Sequence, residues 1–289
     1  MTSPGTTSRA GALLATIALA AGCGSTTAHN ANSTDPLRVI NAAYQKTTAA
    51  TSKLDIVTQL NASSGGSSQA FSVHASGSFD YSRHRGELTT TLPTGGTTTV
   101  LQIGDVIYVK APVLPGAPGP AHKPWIRIVP RDLPNASTSN GSLSSGLRDP
   151  SQALSYLRSV SNKVDTVGAE TIRGTKTTHY KLTVDLHKLA ASQPAMSQSA
   201  DLLIKALHTS SLPVDVWVDA QGRVRQLRLQ QPLPNTAGMG VSTGAVTMTE
   251  QFYDFGTPVT VAAPPASQVT DLGALQHLLP HPSGSPAAA

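Results

Sequence analysis

The chain is poor in cysteine, in aromatic residues and in charge. Its 289 residues include one cysteine, Cys23, so no disulfide can form within the chain. Aromatic residues make up 4% and charged residues 13%, and the lysines and arginines are scattered. This composition argues against nucleic-acid binding, which needs a basic stripe interleaved with aromatic side chains. The net charge of +5 leaves a mild attraction to anionic lipid headgroups.

Long apolar runs are also missing. The run at residues 10–21 is too short to span a bilayer, which takes roughly 20 apolar residues. It follows a single charge, Arg9, and ends at Leu19-Ala20-Ala21-Gly22-Cys23, the pattern at which bacterial lipoproteins are acylated. The sequence therefore predicts a lipoprotein signal peptide over residues 1–22. It also predicts acyl chains such as palmitate on Cys23, which would anchor the protein on the extracytoplasmic face of the cell membrane.

Catalytic and metal-binding motifs are missing as well. None of the nine histidines lies in a His-x-His or His-Glu-x-x-His pattern. His277 and His281 are four residues apart, but adjacent prolines exclude the helix that would align them. The Ser/Gly stretch at residues 141–146 has Leu143 where a Gly-x-Ser-x-Gly motif requires serine. We therefore predict no metal, no cofactor and no enzymatic activity.

Four further polar residues have structural interpretations. His179 and Asp185 are predicted on the polar face of one strand, roughly 20 Å apart, too far to form a catalytic pair. Asp219 is read as a turn former, and His74 as a solvated strand residue.

The two ends of the chain differ in composition from its middle. Residues 23–35 are mostly Ser, Thr, Ala and Asn without apolar periodicity, which predicts a lipidated flexible tether with a reach of about 20 Å. Residues 280–289 are Pro, Ser, Ala and Gly, typical of a disordered tail. Residues 36–279 are predicted to form one domain.

Three helices are predicted within this domain. Asp35-Pro36 and Asp149-Pro150 each place an N-cap carboxylate before a proline at the first helical position. Apolar residues at helical spacing follow both pairs. A third helix is predicted over about residues 194–208, with Met196 and Leu203 on its apolar side.

Most of the remaining sequence alternates with a period of two. The alternation is sustained over residues 71–81 and 178–186, and Gly104-Asp105 and Ala220-Gln221-Gly222 are typical of hairpin turns. Shorter strands are predicted elsewhere, including one at residues 259–261. About ten half-buried strands form a sheet that must curl. The predicted fold class is α+β: a single strongly curved antiparallel sheet, or half-barrel, with a few helices covering its concave face.

Several motifs resemble a known family. The sequence around Cys23, the Asp35-Pro36 helix start and the long meander of strands are similar to the actinobacterial LppX/LprG-type lipoproteins, which share the LolA-like fold. Four shorter motifs add to the resemblance: residues 149–154, His179-Tyr180-Lys181, Val216-Trp217-Val218-Asp219 with Gly222, and Asp254-Phe255-Gly256. The resemblance implies a lipid-binding domain that shelters the acyl chains of lipids or lipoglycans and carries or presents them in the cell envelope.

We predict an apolar cavity and leave two functions open. The apolar strand faces are expected to line the cavity, with the third helix closing over it, and Trp217 either lines it or faces the other way. The first function is a lipid or lipoglycan carrier that works with a membrane transporter or another envelope partner. The alternative is a regulatory or sensor lipoprotein that binds a protein partner. The predicted lining comprises Leu54, Ile56, Phe71, Val73, Phe79, Leu182, Val184, Met196, Leu203 and Trp217.

Overall fold

The computed structural model describes most of one compact unit of the chain. The chain divides into Met1–Ser33 and Thr34–Ala289, and every described residue lies in the second unit. Cys23 and most of the predicted tether therefore lie outside the described residues, as do Met196, Leu203, His277 and His281. The described residues are 35–64, 67–92, 95–110, 123–129, 151–192, 197, 200–201, 204–205, 209–232 and 243–272.

The first predicted helix is confirmed as α1, Pro36–Thr48. The Asp35 carboxylate accepts a hydrogen bond from the backbone N–H of Leu37 at 3.0 Å, so the predicted N-cap is in place. Ile40 and Ala43 are fully buried on its inner face. Within the described residues, no helix combines the length and the apolar character needed to cross a membrane.

The second predicted helix is shorter than predicted. The second is α2, Ser151–Ser155, which continues as a 3₁₀ helix over Tyr156–Ser159. A helix that the alternation concealed, α3, covers Leu186–Ser192, and Asp185 caps it by accepting hydrogen bonds from two backbone N–H groups. The described residues of the predicted third helix, 197, 200–201 and 204–205, are helical.

One open sheet contains all twelve strands. Its strand order is β12-β6-β5-β4-β3-β2-β1-β11-β10-β9-β8-β7, and every neighbouring pair is antiparallel except β12 with β6. The predicted fold class is confirmed: one large, curved, unclosed sheet with a few helices on its concave face. The strands are β1 (Thr51–Ser64), β2 (Ser67–Asp80), β3 (Arg85–Thr91), β4 (Thr97–Ile103), β5 (Val106–Lys110), β6 (Trp125–Ile128), β7 (Val160–Ile172), β8 (Thr175–Asp185), β9 (Ser211–Asp219), β10 (Val224–Pro232), β11 (Thr243–Tyr253) and β12 (Val269–Asp271).

Two strands were missed and one was wrongly predicted. β3 has few large apolar residues and a run of threonines, so its alternation is weak, and β12 is only three residues long. The predicted strand at residues 259–261 is wrong, because residues 257–265 are neither helix nor strand. Pro258 and Pro264 flank that segment and cannot donate to a strand ladder.

The concave face carries two separate apolar clusters. The main cluster joins α1, α2, the 3₁₀ helix and α3 to β1, β2 and β7–β11, and includes the fully buried Leu54, Val184 and Leu227. The second cluster consists of Val100, Ile107 and Val109 with Ile128 packed against them, on β4–β6. Described helices pack on β7, β8 and β10, whereas no described helix packs closely on β3–β6.

Candidate functional site

The predicted lining residues fall into four groups, and Trp217 alone forms the last. Leu54 and Ile56 of β1 lie beside Phe71, Val73 and Phe79 of β2 on the concave face, and their role as a cavity lining stays a prediction. Leu182 and Val184 of β8 share that face, but they are buried in the main cluster, where α3 and the 3₁₀ helix pack on β8. The assignment of Met196 and Leu203 to the lining stays a prediction, because both lie outside the described residues.

Trp217 does not belong to this lining. Its neighbours Val216 and Val218 belong to the main cluster on the concave face, so the side chain between them projects to the convex face. The indole is 5% exposed there, buried by polar and aromatic neighbours. Of the two orientations that the sequence left open, the structure shows the outward one, and the assignment of Trp217 to the apolar cavity is wrong.

A crease between β2 and β3 lies between the two apolar clusters. Gly77 is paired with Leu88, and a Cβ atom at Gly77 would lie 2.8 Å from the carbonyl carbon of Glu87 and closer still to its oxygen. Only glycine allows the two backbones to approach so closely, as at a sharply bent sheet corner. At the next concave-face position, the ring of Phe79 covers Gly86 on the facing strand.

The crease has one closed and one open end. On β2 the concave-face side chains become more exposed along the strand: Phe79 is 2% exposed, Ala75 is 7% exposed, Val73 is half-buried and Phe71 is 45% exposed. Phe79 therefore closes the crease beside the turn between β2 and β3. Phe71 lies at the opposite end, near the turn between β1 and β2.

The concave face also contains a buried carboxyl group that the sequence did not indicate. Glu250 of β11 is 1% exposed and lies between Ile56 on β1 and Leu227 on β10. A charged side chain rarely occupies such a position without hydrogen-bonding partners. The periodicity of β11 indicated a strand, but it did not indicate that this strand directs an acidic group into the core.

The convex face carries a polar network centred on His179. The imidazole is 6% exposed, with Nδ1 2.8 Å from a Glu170 carboxylate oxygen and Nε2 2.7 Å from one of Asp215. It stacks on the Trp217 indole at a centroid distance of 4.2 Å, and the indole N–H donates to Glu170 at 2.7 Å. His179 is on the predicted face, but it is buried rather than solvated. Because both ring nitrogens face carboxylates, neither faces a hydroxyl nucleophile.

Hydrogen bonds shift the acidity of Glu170. The hydrogen bond from Trp217 is the largest influence on the Glu170 pKa, and it lowers that pKa. Interactions with His179 and Lys181 lower it further. Together they outweigh partial burial, which would raise it, and hold the pKa below the ordinary value of 4.5. The ionised carboxylate therefore links β7 to β8 and β9.

Arg173 ties the turn between β7 and β8 to the middle of the sheet. Its guanidinium donates to Gln251 of β11 and to Asp55 of β1, both at 2.6 Å, and lies 4.2 Å from the centre of the Tyr253 ring. Asp55 also bonds His74, whose imidazole is half exposed, so the interpretation of His74 as a largely solvated strand residue is confirmed. Residues far apart in sequence thus hold the convex face together.

Asp219 closes the turn between β9 and β10, as predicted. One carboxylate oxygen accepts the backbone N–H groups of Gln221 and Arg223, and the other accepts the Nε–H groups of Arg223 and Arg225. Burial alone would raise the Asp219 pKa, but these hydrogen bonds outweigh it and hold the pKa below the ordinary 3.8. Both guanidinium groups also lie over the Phe255 ring.

Metal binding finds no support in the described part of the chain. Among those residues, no group of three or more His, Cys, Asp or Glu side chains is placed to hold a metal ion. His179 with its two carboxylates is a hydrogen-bonded cluster whose donors and acceptors already face one another.

Comparison with known proteins gives likenesses at low identity, and no family model matches the chain. An uncharacterized 31.2 kDa protein of Streptomyces griseus is 28% identical over 161 residues, which cover 52% of this chain and 48% of that protein. The match thus spans about half the length of this relative.

Several solved structures are similar to the chain. LprF from Mycobacterium bovis is 14% identical, with a TM-score of 0.44 over 79% of this chain and 96% of that one. The Mycobacterium tuberculosis lipoprotein LppX is 15% identical, with a TM-score of 0.41 over 78% and 96%. A LolA-superfamily protein from Nitrosomonas europaea has a TM-score of 0.27 at 10% identity, over 79% and 95%. LprF and LppX are the kind of protein that the sequence motifs resemble.

Proposed function

We propose that the protein is a membrane-anchored lipoprotein that binds acyl chains of lipids or lipoglycans along the crease of its concave face and carries them in the cell envelope. The observation that carries the proposal is the arrangement of two apolar clusters on the two sides of this crease. The anchor at Cys23, the extracytoplasmic location and the absence of a catalytic step remain predictions from the sequence.

An acyl chain suits this arrangement for a simple physical reason. An acyl chain that lies between the two apolar clusters can shield both of them from water. Each buried methylene contributes about 0.8 kcal/mol, so ten of them contribute roughly 8 kcal/mol before ordering costs, a free energy that corresponds to micromolar affinity. No polar recognition is needed along the chain, and the crease can accept acyl chains of different length.

The closed end of the crease would fix how far such a chain can enter. Phe79 and Gly86 block it beside the β2–β3 turn, so the chain would lie over Ala75 and leave past Val73 and Phe71. A headgroup would then remain at the open end. This polarity is typical of binding sites that take the apolar part of an amphiphile and leave its polar part in water.

The test is to fill the crease from its middle. Ala75→Trp adds an indole between Ile56 and Thr90, whereas Ser76→Trp adds the same ring one residue along on the convex face. Organic extracts of the purified full-length proteins are compared by mass spectrometry. We expect lipid from the parent and from Ser76→Trp, and little from Ala75→Trp.

Thermal unfolding separates an occupied crease from a solid core. In a solid core, Ala75→Trp would overpack and destabilise the protein by about 1 to 3 kcal/mol or more. That destabilisation, together with no lipid from the parent, would refute the carrier function. A protein that co-purifies with the parent in place of lipid would support the regulatory alternative.

A further inference from the structure

The hairpin of β1 and β2 ends in a long segment without charge. No Asp, Glu, Lys, Arg or His occurs in residues 56–73, nor in residues 243–249 of the neighbouring β11. In register, β11 accompanies β1 as far as the pair Ser63 and Thr243. Three adjacent strand ends thus form one uncharged surface, which we call the hairpin tip: residues 60–63, 68–73 and 243–249.

The hairpin tip also projects beyond the strand on its other side. β3 pairs with β2 only from His74 onward, so among described strands residues 67–73 pair with β1 alone. Phe71 lies in this stretch, and it is one of two large hydrophobic side chains that are exposed among the described residues; the other is Val167 of β7. The open end of the crease therefore coincides with an exposed aromatic ring.

The opposite ends of these strands carry charged side chains that form ion pairs. There, Lys53 pairs with Asp254, Arg83 pairs with Asp80, and Asp219 holds two arginines. These pairs lie at or beside the turns after β2, β9 and β11, and the last residues of α1 join them through Lys46, which donates to the Gln221 carbonyl. On β1, β2 and β11, charge therefore lies away from the hairpin tip, whereas the corresponding ends of β7 and β8 carry Lys163, Asp165 and Asp185.

We propose that the hairpin tip docks onto the bilayer and inserts Phe71 into the interface between headgroups and acyl chains. Dehydrating charged side chains is what opposes contact of a protein surface with hydrocarbon, and this surface has none. Serines beside Phe71 can hydrogen-bond headgroups, while the ring replaces exposed apolar area with lipid contact. The inference deepens the proposed function and rests on it, since docking joins the open end of the crease directly to a lipid source.

The predicted anchor makes this encounter intramolecular. Eleven residues lie between Cys23 and Asp35, a segment of about 20 Å as a random coil and at most about 40 Å when extended. Such a short tether holds a domain at an effective concentration in the millimolar range at the membrane surface. Weak insertion of the Phe71 ring is then sufficient to dock the domain on the membrane, and docking stays reversible.

The experiment uses tryptophan as a reporter at the two exposed hydrophobic positions. Full-length Phe71→Trp and the control Val167→Trp are each incorporated into phosphatidylcholine–phosphatidylglycerol vesicles whose acyl chains carry bromine, which quenches tryptophan on contact. The parent, with Trp125 and Trp217, gives the background. We expect several-fold stronger quenching at position 71 than at position 167.

Extraction of the protein into unbrominated detergent distinguishes docking from a lipid held in the crease. Quenching that disappears on extraction reports the bilayer and supports docking, whereas quenching retained after gel filtration reports bound lipid only and overturns it. Equal, weak quenching at both positions also overturns it. Docking without lipid in organic extracts would contradict the carrier function while leaving the bilayer contact established.

Discussion

The crease between β2 and β3 makes a sharp prediction for Gly77→Ala. A Cβ atom at this position would lie 2.8 Å from the carbonyl carbon of Glu87 and 2.9 Å from the Cα of Leu88. Carbon atoms pack at about 3.5 to 4.0 Å, so β3 must move away by roughly 0.6 Å or more. The obstructing atoms belong to the backbone, and no rotamer change can relieve the contact.

The loss of folding free energy depends on the packing and hydrogen bonds that the movement of β3 disrupts. Overpacking typically costs about 1 to 3 kcal/mol, and a strained β2–β3 ladder adds part of a hydrogen bond, so we expect about 3 kcal/mol of destabilisation. For a domain of this size, each kcal/mol lowers the unfolding temperature by about 2 to 4 °C, which gives roughly 6 to 12 °C. Circular dichroism during thermal unfolding measures this shift.

A second glycine provides the control. Gly104, in the β4–β5 turn, has a φ of 60° and open space around its Cα, so Gly104→Ala adds left-handed backbone strain but no clash. That strain costs about 1 kcal/mol. If Gly77→Ala unfolds no earlier than Gly104→Ala, the two backbones do not approach as described and the crease is absent.

Two further predictions concern the convex face and its turns. Asp219→Asn removes the charge that two arginines share and should destabilise the protein by about 2 kcal/mol at neutral pH in denaturant titrations. The folded-state pKa of Asp219 is depressed, so its contribution to stability is present above the unfolded-state pKa and is lost as pH falls through the folded-state pKa. The difference in stability between parent and variant should therefore shrink below about pH 3.8. A difference that stays constant with pH would contradict this. Trp217→Phe deletes the indole N–H that lowers the Glu170 pKa, so that pKa should rise toward 4.5 in an NMR titration, and an unchanged value would show that the hydrogen bond is not formed.

Alternation and capping were enough to predict the fold class, most of the strands and the first helix. Period-two runs placed Phe79, Leu182 and Val184 on the concave face, because a residue's face in a strand depends only on its parity. Asp35 was recognised because a cap acts within three residues of the chain. Asp185 shows the limit of such local signals, since it both ends a strand and caps a helix, and alternation alone could not separate the two roles.

The rest depended on contacts between residues distant in sequence. His179 matches a solvated strand residue until Glu170 and Asp215 are brought to its two nitrogens from the neighbouring strands. The crease could have been suspected from Gly77 within an alternating strand, because an interior glycine often marks a bend or a close approach. The second glycine of the crease, Gly86, is paired with Phe79 and lies on a strand whose threonines carry almost no periodic signal, so its role was not recognisable before the register was known.

The segregation of charge explains why the two ends of one curved sheet can have different roles. Ion pairs at the turns after β2, β9 and β11 fix backbone segments beside the closed end, where Phe79 seals the crease and α1 ends against the Gln221 carbonyl. The same pairs would oppose contact with hydrocarbon, because each charge would lose its hydration. An apolar guest therefore has a favourable route only from the uncharged end. There the concave face becomes progressively more exposed from Ala75 to Phe71, and residues 60–63, 68–73 and 243–249 of the strands that form it include no charged side chain.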